Sequence, residues 1–234
     1  MDLLRTEEKF LCADGFQMSA YLTRPADSVR VPGFLFIYEI FGMNSEMKRL
    51  ADEFAAAGYA VLVPDLFTRG SWFSCVKKLI ADLKAETGQG VDDLLQARRW
   101  LAERPFVDPQ RLAVMGLCMG GGFALLLGKT GLFRVTAPFY GQVPQKLDGI
   151  CPVVASYGAK DRQLVKDAAR LEKELPALGV PYDMKIYPQA GHGFMNRRTN
   201  PFVDLVGRAA GISYEPSAAA DAKSRLLGFL KQHV

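Results

Sequence analysis

Short, nearly continuous apolar runs alternate along this chain with segments whose apolar residues recur every three or four positions. Residues 33–38 (Gly-Phe-Leu-Phe-Ile-Tyr), 59–63 and 111–115 are runs of strand length, the pattern of strands buried on both faces. Residues 135–140 and 153–157 repeat it, whereas 182–187 alternates like a strand at a sheet edge. The start, 9–23, alternates loosely around Asp14-Gly15 and predicts a hairpin. Between the runs, Met47, Leu50, Ala51 and Phe54 mark a helix that Asn44 caps and Gly58 ends. Trp72, Val76, Leu79, Ile80 and Leu83 share a second helical face, and Gly88-Gln89-Gly90 breaks it. Val91, Leu94, Leu95, Arg98 and Leu101 continue as a third helix that stops before Pro105. Further helices are predicted through 123–127, over 167–178, and over 218–230 with Leu226, Leu227 and Leu230 facing inward. Buried strands alternating with helices predict an α/β fold, a three-layer sandwich with a mainly parallel central sheet. Right-handed crossovers then bring the carboxyl ends of the strands to one rim, where such folds hold their ligands.

No linker-like stretch, repeat or low-complexity segment divides the 234 residues, so one domain over 1–234 is expected. The net charge of +4 is dispersed: the pairs Lys77-Lys78, Arg98-Arg99 and Arg197-Arg198 lie apart and among acids. A nucleic-acid footprint would be a concentrated stripe, which leaves a small molecule as the expected partner. The opening Met1-Asp2-Leu3-Leu4-Arg5-Thr6-Glu7-Glu8 lacks the apolar core of a secretory signal. No apolar run approaches the ~20 residues a membrane helix needs, and a cytoplasmic protein without a membrane partner is expected. Cys12, Cys75, Cys118 and Cys151 show no paired spacing, and His192 and His233 are the chain's histidines. Four free thiols in a reducing compartment, with neither metal nor cofactor, is the expected state.

The chemistry gathers around Gly116-Leu117-Cys118-Met119-Gly120-Gly121-Gly122, which follows a predicted buried strand and opens a predicted helix. That is the context of a nucleophile elbow, a strained turn that projects its nucleophile at the sheet rim. A dinucleotide-binding loop is the alternative for a glycine-rich turn, but it belongs on the first strand of its unit, not at mid-chain. Asp161 stands just past the strand ending at Tyr157-Gly158, and His192 lies in a loop after Ile186-Tyr187. Nucleophile, acid, histidine is the α/β-hydrolase order. In such a triad the imidazole takes the nucleophile's proton while the carboxylate orients it and stabilises the imidazolium. His233 sits beside the carboxyl terminus, which leaves His192 as the candidate base. Asp161 also reads as a helix cap, with Asp148 and Asp167 as competing acids. Glu39-Ile40-Phe41-Gly42 follows the first central strand, where the fold takes one oxyanion donor. By position the donors are the amides of Ile40 and Met119. Glu39 itself reads equally as a capping or salt-bridging residue, since a buried carboxylate requires a partner.

With these residues in view, the chain resembles the dienelactone hydrolase (carboxymethylenebutenolidase) family over almost its full length. The resemblance is carried by Glu39-Ile40-Phe41-Gly42-Met43-Asn44, Gly58-Tyr59, Val63-Pro64-Asp65-Leu66-Phe67, Gly116-Leu117-Cys118-Met119-Gly120-Gly121, Gly158 with Asp161, and Ala190-Gly191-His192-Gly193-Phe194. It implies the α/β-hydrolase fold and a metal-free Cys118–His192–Asp161 triad that opens enol-lactones bearing a carboxylate. It also implies that Glu39 contacts the resting thiol and is displaced by substrate, and that the protein is a monomer or a homodimer. The family's carboxylate-gripping arginine four residues past the histidine is Asn196 here, with Arg197 and Arg198 one step late. The segment 66–90, which holds another such arginine in the family, offers Arg69, Lys77 and Lys78.

The expected activity is acyl transfer from an enol-lactone to Cys118 through a thioester. A cysteine carboxylesterase or thioesterase acting on another small ester is the alternative. A non-catalytic ligand-binding relative and a redox thiol protein are rivals from other classes; the second lacks a resolving cysteine nearby. Phe41, Arg69, Tyr140, Phe194, Asn196 and Arg197 are candidate substrate contacts. The aromatics among them, and Trp72, read first as core, since rings fill cores more often than they meet ligands.

Overall fold

The computed structural model describes residues 2–27, 29–197 and 212–234. Its centre is one eight-stranded sheet ordered β1-β2-β4-β3-β5-β6-β7-β8. The strands are β1 (Leu3–Leu11), β2 (Gln17–Pro25), β3 (Val31–Ile37), β4 (Ala60–Pro64), β5 (Val107–Leu117), β6 (Val135–Phe139), β7 (Val153–Gly158) and β8 (Tyr182–Tyr187). From β4 across to β8 every pairing is parallel, and the β1–β2 hairpin joins β4 antiparallel. Every residue of β4, β6 and β7 is buried, which is why these strands read as unbroken apolar runs. At the sheet's end, β8 buries only Tyr187 fully, and its alternation marks an edge strand.

Helices α1 (Ser45–Ala56), α2 (Trp72–Ala85), α3 (Gln89–Ala102), α4 (Met119–Gly128), α5 (Val165–Glu174) and α6 (Pro216–His233) flank the sheet. The Asn44 side chain caps α1 by accepting from the amides of Glu46 and Met47. Helix α4 is buried on all sides, as its almost wholly apolar sequence requires. No described helix is long and apolar enough to cross a membrane.

Four details depart from the sequence reading. The hairpin extends beyond 9–23 to a continuous register from Leu3↔Pro25 to Leu11↔Gln17, its outer half hidden among charged residues. Strand β5 begins earlier than 111, at Val107, and its register against β3 shifts between Pro32 and Gly33. The expected helix over 167–178 ends at Glu174 and tightens into a 3-10 turn, Leu175–Leu178, with Pro176 in its first turn. On α2 the buried row is Cys75, Leu79 and Leu83, while Trp72 and Ile80 are 51% and 37% exposed.

Candidate active site

The residues of interest follow the carboxyl ends of consecutive parallel strands: Glu39 after β3, Cys118 after β5, Tyr140 after β6, Asp161 after β7 and His192 after β8. Cys118 sits between strand and helix with φ 55° and ψ −118°, a left-handed conformation that a residue with a side chain adopts only under constraint. Main-chain contact imposes it. A Cβ on Gly116 would stand 1.9 Å from the Gly120 carbonyl oxygen, and one on Gly120 would stand 2.2 Å from that of Ile37. The turn closes only with glycine at both places, and its closure brings the start of α4 against the end of β3. Met119 is the first residue of α4, and the amides at a helix start have no acceptor one turn back.

His192 connects the cluster. Its Nε2 lies 2.9 Å from Cys118 Sγ and its Nδ1 lies 2.7 Å from Asp161 Oδ2. Asp161 is 2% exposed, and its Oδ1 accepts from the amides of Gln163 and Leu164 at 3.0 and 3.2 Å. It therefore serves as a turn cap with one oxygen and as the imidazole's partner with the other, both of the roles its position suggested. The competing acids are elsewhere: Asp167 accepts from the Val143 amide, and Asp148 is exposed. Glu39 is 6% exposed.

The profile of the dienelactone hydrolase family matches residues 18–234. The chain belongs to that family. It is 30% identical to an Azospirillum brasilense relative that carries the name carboxymethylenebutenolidase, over 98% of this chain and 99% of that one. A Bradyrhizobium relative named as a 2-oxo-3-(5-oxofuran-2-ylidene)propanoate lactonase is 28% identical, over 94% of this chain and 92% of its own. Among solved structures, one named as a Klebsiella pneumoniae dienelactone hydrolase superposes with TM-score 0.81 over the whole of both chains, at 24% identity. A dienelactone hydrolase-like promiscuous phosphotriesterase from metagenomic libraries superposes with TM-score 0.83 over 100% of this chain and 99% of its own, at 21% identity. The chain is accordingly an α/β-hydrolase-fold hydrolase of the dienelactone hydrolase family, whose members act on ester and lactone bonds.

In this family member the imidazole is tuned by opposing effects. Burial of His192 disfavours the imidazolium, but its hydrogen bonds with Asp161 and Cys118 outweigh it and carry the pKa from the ordinary 6.5 to about 10. A raised folded-state value stabilises the fold fully below the unfolded pKa of 6.5, and that contribution fades as pH rises toward 10. The stability gap between the wild type and His192→Gln should thus be widest near pH 6 and narrow by pH 10 in urea titrations. Ring-proton NMR should place the His192 titration well above 6.5; a midpoint at the ordinary value would refute this coupling.

The candidate substrate contacts divide. Tyr140 and Phe194 are fully buried, and the Tyr140 ring meets His192 and Phe194 edge-on at 5.1 and 5.2 Å. Asn196 is 5% exposed, and among the described residues neither its Oδ1 nor its Nδ2 has a hydrogen-bond partner. Phe41 is 56% exposed, which corrects its reading as core. Arg69 is a second correction. Its guanidinium forks onto Asp93 at 2.6 and 2.7 Å and onto Asp14 at 2.9 and 3.0 Å, and it covers the Phe16 ring. With Nε, Nη1 and Nη2 all engaged by carboxylates, Arg69 ties the hairpin turn to α3 and is not offered to a substrate anion. Arg197 donates its backbone amide to Glu46 and lays its guanidinium over Tyr214; among the described residues no contact joins it to Cys118, His192 or Asp161. Lys77 and Lys78 are exposed on α2, and Arg198 lies outside the described residues.

What the sequence did not disclose is the state of Tyr140. Its φ is 37°, and burial together with the nearby Glu39 and Cys118 raises its pKa well above the ordinary value. The strain lies in the backbone, and a tyrosine ahead of Gly141 gives no hint of it.

Proposed function

We propose that this chain opens enol-lactones and small esters by acyl transfer to Cys118. The observation that carries this reading is the single imidazole placed between Cys118 Sγ and Asp161 Oδ2 at 2.9 and 2.7 Å. Sulphur attacks the carbonyl carbon while His192 holds the thiol proton, and the C–O π electrons move onto oxygen. The amides of Ile40 and Met119 receive that oxyanion. The tetrahedral intermediate collapses by breaking the bond to the alkoxy or enolate oxygen, which takes its proton from His192, and a thioester to Cys118 remains. His192 next deprotonates a water molecule that attacks the thioester, and the acid departs as the thiol is reprotonated. Asp161 fixes the imidazole throughout and compensates its charge in the two ionised stages. Glu39, buried where β3 ends, acts on the resting thiol before substrate displaces it. An enolate or phenolate leaves more readily than an alkoxide, which favours activated esters.

The second reading, a cysteine carboxylesterase on other small esters, is favoured by Arg69, whose donors are committed to Asp14 and Asp93. A carboxylated dienelactone and p-nitrophenyl acetate, each mixed with enzyme and quenched within milliseconds, should leave an acyl mass on the peptide containing Cys118. Steady-state turnover of the two then separates the readings. An acyl mass on any other residue, or turnover without one, would remove the sulphur mechanism.

A further inference from the structure

Helix α2 begins with two aromatic residues whose surroundings differ in kind. Trp72 precedes Cys75, Leu79 and Leu83 on the helix's inward row by three, seven and eleven positions, so it continues that row beyond the point where the core ends. Phe73 is turned about 100° away, with Lys77 and Ile80 on the outer face. Trp72 donates its indole N–H to the Ile40 carbonyl at 2.7 Å while the residue stays 51% exposed. Tryptophan at a surface usually does the opposite, burying its ring and leaving its N–H to water. Here the polar atom is turned in while half of the residue stays open, and Phe41, next in sequence to Ile40, is itself 56% exposed. The tether ends on the segment after β3, which the Gly120 approach to the Ile37 and Tyr38 carbonyls holds against the Cys118 turn. Helix α2 is thus pinned to the loop that would carry an oxyanion donor, and its pin is an open aromatic surface.

We propose that Trp72, with Phe41, is a specificity-determining platform that receives the apolar, uncharged part of an ester substrate. This deepens the proposed function and rests on it. The substrate class is a neutral ester or lactone with an alkyl or aryl acyl group, not one ending in a carboxylate. One observation favours the neutral class: the cation preceding the platform, Arg69, is held by Asp14 and Asp93. Ordered apolar rings gain from covering by an apolar chain in proportion to the area removed from water.

The test is kcat/KM for the p-nitrophenyl esters of acetate, butyrate, hexanoate and octanoate, and for mono-p-nitrophenyl adipate. The enzymes are wild type, Trp72→Ala, Trp72→Phe and Phe73→Ala. One open face gives about a twofold gain per methylene, roughly half the logarithmic gain of full burial; over four methylenes wild type should rise about sixteenfold from acetate to hexanoate, and it should prefer hexanoate to the adipate. Trp72→Ala should flatten the rise. Trp72→Phe should keep most of it while lowering kcat severalfold for every ester, because the tether to Ile40 is gone. Phe73→Ala should follow wild type. Because Trp72 is half exposed in the first turn of its helix, thermal midpoints of the variants should stay close to wild type.

Retention of the full rise in Trp72→Ala, an equal loss in Phe73→Ala, or preference for the adipate would each overturn the platform while leaving Cys118 chemistry intact. Failure of every ester and of the dienelactone in wild type would defeat the proposed function instead. The platform is then judged by calorimetric binding of acetamide, hexanamide and octanamide. Affinity that grows with chain length in wild type and not in Trp72→Ala supports it, and affinity independent of chain length sinks it.

Discussion

Cys118→Ala is expected to lower kcat/KM by about 10⁴-fold or more, the scale seen when a nucleophile that acts jointly with a base is deleted. The reason is geometric. His192 has one nitrogen on Asp161 and the other on Cys118, so removing sulphur leaves an oriented base with nothing to activate. What remains is binding and oxyanion stabilisation, which water alone exploits poorly. The fold should survive, since Cys118 is only half-buried and alanine fits the same turn. Steady-state kinetics with a matched thermal midpoint checks both halves. Activity within tenfold of wild type would show that another group is the nucleophile.

Gly120→Ala is expected to destabilise the protein by about 3 kcal/mol or more, the upper range for forced overpacking. Helix propensity alone points the other way, since alanine in a helix interior is favoured over glycine by about 1 kcal/mol. Contact decides the sign. The new methyl would lie 2.2 Å from the Ile37 oxygen and 2.7 Å from that of Tyr38. Neither obstacle is a side chain that can rotate, and Ile37 is paired in register with Gly116 of β5. Relief would require α4 to withdraw, and the Cys118 turn would move with it. For a chain of this size the midpoint should fall by roughly 6–12 °C, and activity should fall further because reacting atoms displaced by about 1 Å lose about 10²-fold. A midpoint within 2 °C of wild type would mean that the two backbones have room to part.

The central strands and the elbow were legible because their physics is local. Strands covered on both faces must be apolar at every position, and a turn squeezed between strand and helix must be glycine around the residue it projects. The order Cys118, Asp161, His192 followed from strand ends alone. Legibility failed where partners are distant. Arg69 reads as a free cation in a short segment, and its two carboxylates stand 55 and 24 residues away. Periodicity put Trp72, Val76 and Ile80 on the inward face of α2 with Leu79 and Leu83, whereas the buried row is Cys75, Leu79 and Leu83, so Trp72 read as buried. The outer half of the hairpin, Arg5-Thr6-Glu7-Glu8, lacks an apolar signal because an edge strand needs little of one. Tyr140 was hidden for another reason, since a backbone held at φ 37° by its surroundings has no signature in composition.

The way Asp161 is held has a consequence for how this protein can change by descent. Its aim toward His192 is set by two main-chain amides, those of Gln163 and Leu164, and amides persist whatever side chains occupy those positions. The supports of the sulphur are likewise main chain. Side chains at 163 and 164 are consequently at liberty to drift without turning Asp161 away from His192, whereas Gly116 and Gly120 must stay glycine to keep the Cys118 turn closed.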